Sequence, residues 1–334
     1  MTTAAVIGCG DVSTVHFEAL TNCPGVDLVA VCDTNQDRLA AAAEAQAVPG
    51  FTHHLEMLDQ AHPDVVHICT PHDQHVSVAV DCLNRGVQVL LEKPLAHTLA
   101  EGQRLVQAAA QGSARVGVCF QNRYNAPVQA MHQLLRSGEI GPVLGAAATV
   151  VWSRPAEYYR SRPWRGSWAG SGGGLLMNQA IHTLDLLQWL LGEVAEVRGH
   201  ASTRALGAVI EVEDTAELML THSSGARSLL YASLANAVNA PVTLDITAEK
   251  AVLSLRGDLT VSYTDGRVEV VPERLAASGG RGYWGVSHEL LIRDFYRTLA
   301  DTEPFWISPA EAMKSLAIIK DVYAQSYPAS VPFS

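Results

Sequence analysis

Basic residues are in deficit. The 334-residue chain carries 23 lysines and arginines against 34 aspartates and glutamates, a formal net charge of −11. That balance disfavours nucleic acid and anionic membrane surfaces as partners, because both repel a net anion. It leaves a small anionic substrate open, since local arginines override the global field. No stretch approaches the roughly 20 apolar residues of a transmembrane helix. The N-terminus passes almost directly into a strand, without the basic region and apolar core of a secretory signal, so a cytoplasmic protein is expected. Cysteine is scarce: Cys9, Cys23, Cys32, Cys69, Cys82 and Cys119 all fall in the first 120 residues, and none forms a CxxC pair. These spacings support neither a disulfide framework nor a zinc site, and no metal is expected. Free buried thiols in a reducing compartment fit better. Low-complexity tracts and internal repeats are absent.

What is present begins with apolar content, 48%, enough for substantial cores. The length points to two domains at about 150 residues each. Residues 1–121 alternate strand and helix, which predicts a doubly wound parallel sheet of the α/β class, a Rossmann domain. Residues 4–7 form a short apolar strand. Gly8-Cys9-Gly10-Asp11-Val12-Ser13 follows and opens a helix, the G-x-G-x-x-G pattern with serine in the last place. Gly8 permits the tight turn and Gly10 lets backbone approach a pyrophosphate. The helix that starts after Asp11 and Val12 offers unpaired N–H groups to the phosphates. A second strand, 28–32, ends at Asp33, 20 residues after Ser13. An acid there is placed to bond the adenosine ribose hydroxyls and to repel a 2′-phosphate, so NAD is favoured over NADP. Arg38, one turn into the next helix, can stack on adenine or stand in solvent.

A strand at 65–69 ends in Thr70-Pro71-His72, and Pro71 stops it. Thr70 and His72 would sit over the crevice beside the glycine loop. His75 begins the following helix as a cap, and His67 within the strand reads as a packed core histidine. The run 87–91 is a buried strand that ends in Glu92-Lys93-Pro94. In an open parallel sheet, ligands bind beyond the carboxyl ends of the strands. Lys93 stands at such an end. Partial desolvation there would let its ammonium do acid–base work near neutral pH. A sixth strand covers 115–119.

Beyond residue 121 the pattern changes. Residues 122–334 are expected to form one α+β domain on a large, mostly antiparallel sheet. A helix is predicted near 126–137, strands near 143–152, 194–202, 215–222, 227–235, 242–248 and 251–255, and two closing helices near 285–300 and 308–325. One face of the sheet would be free to form a subunit interface. Two segments interrupt it. Residues 158–168 are rich in aromatics and arginine, suited to stacking and to binding anions or hydroxyls, or else form a rigid structural loop. A helix over 175–191 carries Asn178, His182 and Asp185 at i, i+4 and i+7, hence on one face. A histidine between an amide and a carboxylate is positioned for proton transfer, or is a hydrogen-bonded interior residue.

These motifs, Gly8–Ser13, Asp33, Thr70-Pro71 with His75, Glu92-Lys93-Pro94, and Gly172-Gly173-Gly174 with His182 and Asp185, resemble the glucose–fructose oxidoreductase/inositol dehydrogenase/rhizopine-catabolism (Gfo/Idh/MocA) family over nearly the whole chain. The resemblance implies an NAD-dependent oxidoreductase acting on a hydroxyl or ketone carbon of a sugar, cyclitol or sugar derivative. It implies a homodimer or homotetramer through the C-terminal sheet. Lys93 would be the catalytic lysine and His182 the second acid–base residue. Asn178 stands where many members carry aspartate, which shifts the proton-transfer role toward Lys93. Glu92 would contact the nicotinamide ribose, and Thr70, Pro71, His72 and His75 would line the cofactor. Asn122 and Arg123 would lie near the nicotinamide and substrate, with Trp164 and Arg165 reaching the cofactor or sugar. Tyr159, Asn178, Asp185 and Tyr283 would join Lys93, Arg123 and His182 around the substrate. The Lys93–Pro94 bond is often cis in this family. Two other readings share the fold. One is a redox-neutral, NAD-dependent glycoside hydrolase or lyase with Tyr159, Tyr283 or His288 as second base; the other is a non-catalytic NAD or sugar sensor.

Overall fold

The computed structural model describes residues 1–274 and 287–327. The chain divides into two compact units. The first comprises residues 1–121 and 287–313; the second comprises 122–274 and 314–327. The helix Ser287–Arg297 packs against the first unit's helix Ser13–Thr21. The reason lies at Gly117. A Cβ there would meet the rings of Phe295 and Phe305 at 2.8 Å, so only glycine admits both aromatics against the sheet.

The first unit is a six-stranded parallel sheet. Its strands are β1 (Thr2–Ile7), β2 (Val26–Cys32), β3 (Gly50–Phe51), β4 (Val65–Ile68), β5 (Gln88–Glu92) and β6 (Val116–Cys119), in the order β3-β2-β1-β4-β5-β6. All pairs are parallel. This is the doubly wound order, and it reverses between β1 and β4. Every residue of β4 and β6 is buried, as expected for strands covered on both faces.

The second unit holds an eight-stranded mixed sheet: β7 (Val143–Val151), β8 (Val194–Ser202), β9 (Thr215–His222), β10 (Arg227–Ser233), β11 (Thr243–Ala248), β12 (Ala251–Arg256), β13 (Asp258–Tyr263) and β14 (Val268–Val271). Their order is β14-β13-β12-β11-β7-β10-β9-β8, antiparallel throughout except between β7 and β10. The strands expected from sequence end at β12. β13 and β14 complete the sheet through a hairpin at Asp265-Gly266, with Gly266 at φ 90°. That Asp-Gly turn between short alternating strands was a legible signal. Inward positions such as Leu218, Leu230, Ile246 and Leu253 are buried. Outward positions Leu229, Tyr231, Val252, Val268 and Val270 remain exposed.

The expected helix over 175–191 begins with a π turn, Leu176–Ala180, and continues as an α-helix, Ile181–Leu191. The six cysteines are free thiols. Among the described residues, no helix is long and apolar enough to cross a membrane.

Candidate functional site

The glycine loop links β1 to the helix Ser13–Thr21. Gly8 has φ 93°, and a Cβ there would sit 2.6 Å from the Cys69 carbonyl group. Only glycine lets β1 turn this tightly against the end of β4. At Gly10 an added Cβ would meet nothing within 4 Å, so the loop is open on that side. The helix has Val12 at its N-cap and no side-chain cap, which leaves its first N–H groups for a phosphate. Ser13 Oγ donates to the Gly10 carbonyl at 2.7 Å and so serves the loop itself.

Asp33 is buried at the end of β2, and its carboxylate is fully engaged. Oδ2 accepts from the Cys9 N–H (2.8 Å) and Arg38 Nε (3.1 Å); Oδ1 accepts from the Asn35 N–H (2.7 Å) and Arg38 Nη2 (2.8 Å). Burial opposes its ionisation, yet the Arg38 bond and the two backbone donors outweigh it and hold its pKa low. A ribose hydroxyl at Asp33 would therefore have to displace Arg38, whose side chain is 37% exposed and can swing away. Thr70, at the end of β4, has a buried hydroxyl without a hydrogen-bond partner among the described residues. An open glycine loop, an ionised acid after β2 and that hydroxyl at the end of β4 fit a bound dinucleotide.

Pro71 leads into a short 3₁₀ turn, His72–Gln74, with His72 buried. His75 is committed to backbone: Nδ1 faces the Pro94 carbonyl at 2.7 Å and Nε2 the Thr70 carbonyl at 3.0 Å. A neutral ring can donate to only one of them, and burial pulls its pKa down. Its ring ties the loops after β4 and β5 together. Lys93 follows β5 half-buried, and the Lys93–Pro94 bond is cis.

The carboxylate of Glu92 turns inward. Oε1 accepts from His16 Nε2 (3.1 Å) and His288 Nε2 (3.0 Å), and Oε2 from the Lys93 N–H (3.2 Å). A ribose contact from Glu92 would be shared with these donors. His16 and His288 entered no cofactor reading of the sequence. What could have exposed such a network was His67, a histidine inside the apolar strand β4. A buried imidazole there needs a partner.

In the second unit, Asn178 and His182 are half-buried, and Asp185 is buried. Asp185 meets Arg123 in a fully buried bidentate pair, both bonds 2.7 Å. The wider π turn at 176–180 precedes His182, a local geometry often found at functional sites. Arg123 also lies 5.2 Å from the Trp189 ring, and Ser315 Oγ donates to Asp185 at 3.2 Å. The Arg123–Asp185 pair lies within the second unit. Asn122 is half-buried in a 3₁₀ turn, Gln121–Tyr124. In the aromatic segment, Arg165 stacks over Tyr158 at 4.4 Å with Trp164 beside it at 5.7 Å. Tyr159 is 3% exposed, and burial pushes its hydroxyl pKa up. Tyr283 lies outside the described residues.

Parallel sheet, open glycine loop and ionised strand-end acid define a dinucleotide-binding domain of the Rossmann kind. Residues 2–120 match the oxidoreductase family with an NAD-binding Rossmann fold, and residues 128–254 match the GFO/IDH/MocA C-terminal domain. A D-apiose dehydrogenase from Paraburkholderia graminis is 30% identical, over 78% of this chain and 70% of its own. An inositol 2-dehydrogenase from Saccharopolyspora erythraea is 31% identical, over 66% of this chain and 63% of its own. The WlbA dehydrogenase of Bordetella pertussis, solved with NADH and UDP-GlcNAcA, superposes with a TM-score of 0.83 at 28% identity, covering 99% of each chain. The chain belongs to the GFO/IDH/MocA family of oxidoreductases.

Proposed function

We propose that the protein is an NAD-dependent dehydrogenase of a sugar, cyclitol or sugar derivative, acting at a CH–OH group. The observation that carries this reading is Lys93, half-buried at the carboxyl end of β5 in the sheet that bears the glycine loop. Relatives named as apiose and inositol dehydrogenases support the substrate class. The buried, ionised Asp33 supports NAD over NADP, because a 2′-phosphate would meet its charge. When bound, the nicotinamide supplies the hydride acceptor or donor. Lys93 takes the hydroxyl proton at Nζ during oxidation and returns it during reduction. His182 hydrogen-bonds the same hydroxyl or its neighbour, and Asn178 orients the imidazole. Trp164 and Arg165 reach the cofactor or sugar, and the Arg123–Asp185 pair holds the helix that carries His182.

The glycosidase reading needs a further base. Tyr159 is buried and holds its proton, and His288 is buried with Nε2 on Glu92. The dehydrogenase reading needs neither. Its test is a panel of sugars and cyclitols with NAD or NADP, read by the absorbance of the reduced cofactor. We expect turnover with NAD to exceed that with NADP, and Lys93→Ala to lower kcat by about 10²-fold or more. Near-normal turnover by K93A with normal NAD binding removes the lysine from this role.

A further inference from the structure

The Glu92 carboxylate belongs to a longer chain of hydrogen bonds. His16 Nδ1 lies 2.8 Å from His67 Nδ1, and His67 Nε2 lies 2.9 Å from the Tyr296 hydroxyl. With His16 and His288 on Oε1, five side chains connect in series: Tyr296, His67, His16, Glu92 and His288. They come from β4, β5 and the helices Ser13–Thr21 and Ser287–Arg297. His16 and His67 are 0% exposed, His288 2% and Glu92 4%.

The proton positions follow from the partners. Burial disfavours charge on Glu92, but the bonds from His16 and His288 hold its pKa well below the usual carboxylate range, so it only accepts. Both Nε2 atoms therefore carry hydrogen. Burial keeps the His16 and His67 rings neutral. His16 Nδ1 is then a bare acceptor, and His67 Nδ1 must donate to it. That leaves His67 Nε2 as an acceptor for the Tyr296 hydroxyl, whose proton burial also retains. From Tyr296 to His16 every bond points toward Glu92, and His288 donates from the other side. Each of the two linking rings has a single permitted tautomer. Burial, reinforced by Glu92, keeps the thiols of Cys69 and Cys119 protonated.

We propose that this chain is a positioning device for Lys93. His16 and His288 lock one oxygen of Glu92, and the other oxygen fixes the backbone N–H of Lys93, from which the proton-accepting side chain departs. His16, His67 and His288 are positioning residues in this scheme and touch neither substrate nor cofactor. The proposal rests on the role assigned to Lys93 above. The His16, Glu92 and His288 ligand atoms also lie within 4.8 Å of one another, a donor set that would suit zinc. The single permitted tautomers account for all three atoms with hydrogen bonds alone.

A double-mutant cycle tests it. His288→Leu removes the donor at similar volume, and His288→Gln keeps an N–H near the Nε2 position. We expect H288L to lower kcat by about 10-fold or more, with the NAD Kd, measured by calorimetry, within about twofold of wild type. H288Q should recover most of that loss. In a K93A background, H288L should change the residual rate by less than about threefold, because residues that act through one another are not additive. Glu92→Gln, which cannot accept from both histidines and the Lys93 N–H at once, should show the same kcat loss and the same non-additivity with K93A if H288L fails to fold. Full additivity with K93A, equal losses in H288L and H288Q, or one equivalent of tightly held zinc in the purified protein overturns the proposal. An active K93A instead defeats the lysine assignment itself.

Discussion

Glu92 of the first unit and Glu213 of the second are both buried, and each is held by several donors. Glu92 accepts from two imidazoles and one backbone N–H, and stays ionised. Glu213 accepts from the backbone N–H groups of Gly174 and Leu176 (2.8 Å each) and the Tyr323 hydroxyl (2.7 Å), yet burial outweighs these bonds and raises its pKa. Nearby Lys320 donates to the Gly172 carbonyl at 2.6 Å, and burial lowers its pKa to about 8. Two groups of opposite sign in the second unit thus lean toward their neutral forms, whereas the first unit sustains a buried charge one residue from Lys93. At Glu92 the bonds from the two imidazoles outweigh burial, whereas at Glu213 burial outweighs the bonds. Glu213 clamps the glycine run that leads into the His182 helix. The units differ also in their sheets, since among the described residues only the second presents exposed apolar side chains along an outward face.

The sharpest way to break the contrast is at the clamp. A Cβ at Gly174 would lie 2.0 Å from the Glu213 carbonyl oxygen, a backbone atom with nowhere to move. Gly174→Ala should cost about 3 kcal/mol or more, read by chemical denaturation. A loss under about 1 kcal/mol would mean the clamp is soft.

A finer test uses pH. The low pKa of Glu92 means its stabilising charge is present above the unfolded value, about 4.3, and is lost as pH falls through the folded one. The stability gap between wild type and E92Q should therefore be full near neutrality and close in acid. Glu213 has a raised pKa, so its contribution is complete below about 4.3 and is lost as pH rises through the folded value. The gap between wild type and E213Q should be widest in acid and shrink on raising the pH. Thermal unfolding across this range checks both signs; gaps that move together would erase the distinction.

The smallest effect on the fold concerns the open sheet face. We propose that the protein associates with itself and that Leu229 and Tyr231 lie in that contact. Tyr231→Glu should leave unfolding of the chain nearly unchanged, within about 0.5 kcal/mol for a surface position, but lower the mass seen in sedimentation. An unchanged mass would place the interface elsewhere.

Much of the first unit was legible because its signals are local. A glycine loop, strand-end acids and an apolar run ending in Glu92-Lys93-Pro94 each declare themselves within a few residues. The second sheet was legible as alternation, up to the hairpin that adds β13 and β14. The pairing of Asp185 with Arg123 was not, because that partner comes from another element. Nor could the sequence show that His16, His67 and His288 meet. They lie far apart in the chain, and only the winding of the sheet and the return of Ser287–Arg297 bring them together. The same return hid the membership of residues 287–313, since nothing about Gly117 in sequence says which rings will lean on it.

Gly117 has a consequence for biosynthesis. β6 is an edge strand, and its Val118 N–H donates to the carbonyl of Ile307 at 2.9 Å. A nascent chain that has just emerged through Gln121 holds every strand of the first sheet, yet it lacks Phe295, Phe305 and Ile307, which cover that margin. Until the whole second sheet has been translated, the nucleotide-binding half presents a bare apolar flank and an unmet amide, the kind of surface that chaperones shield.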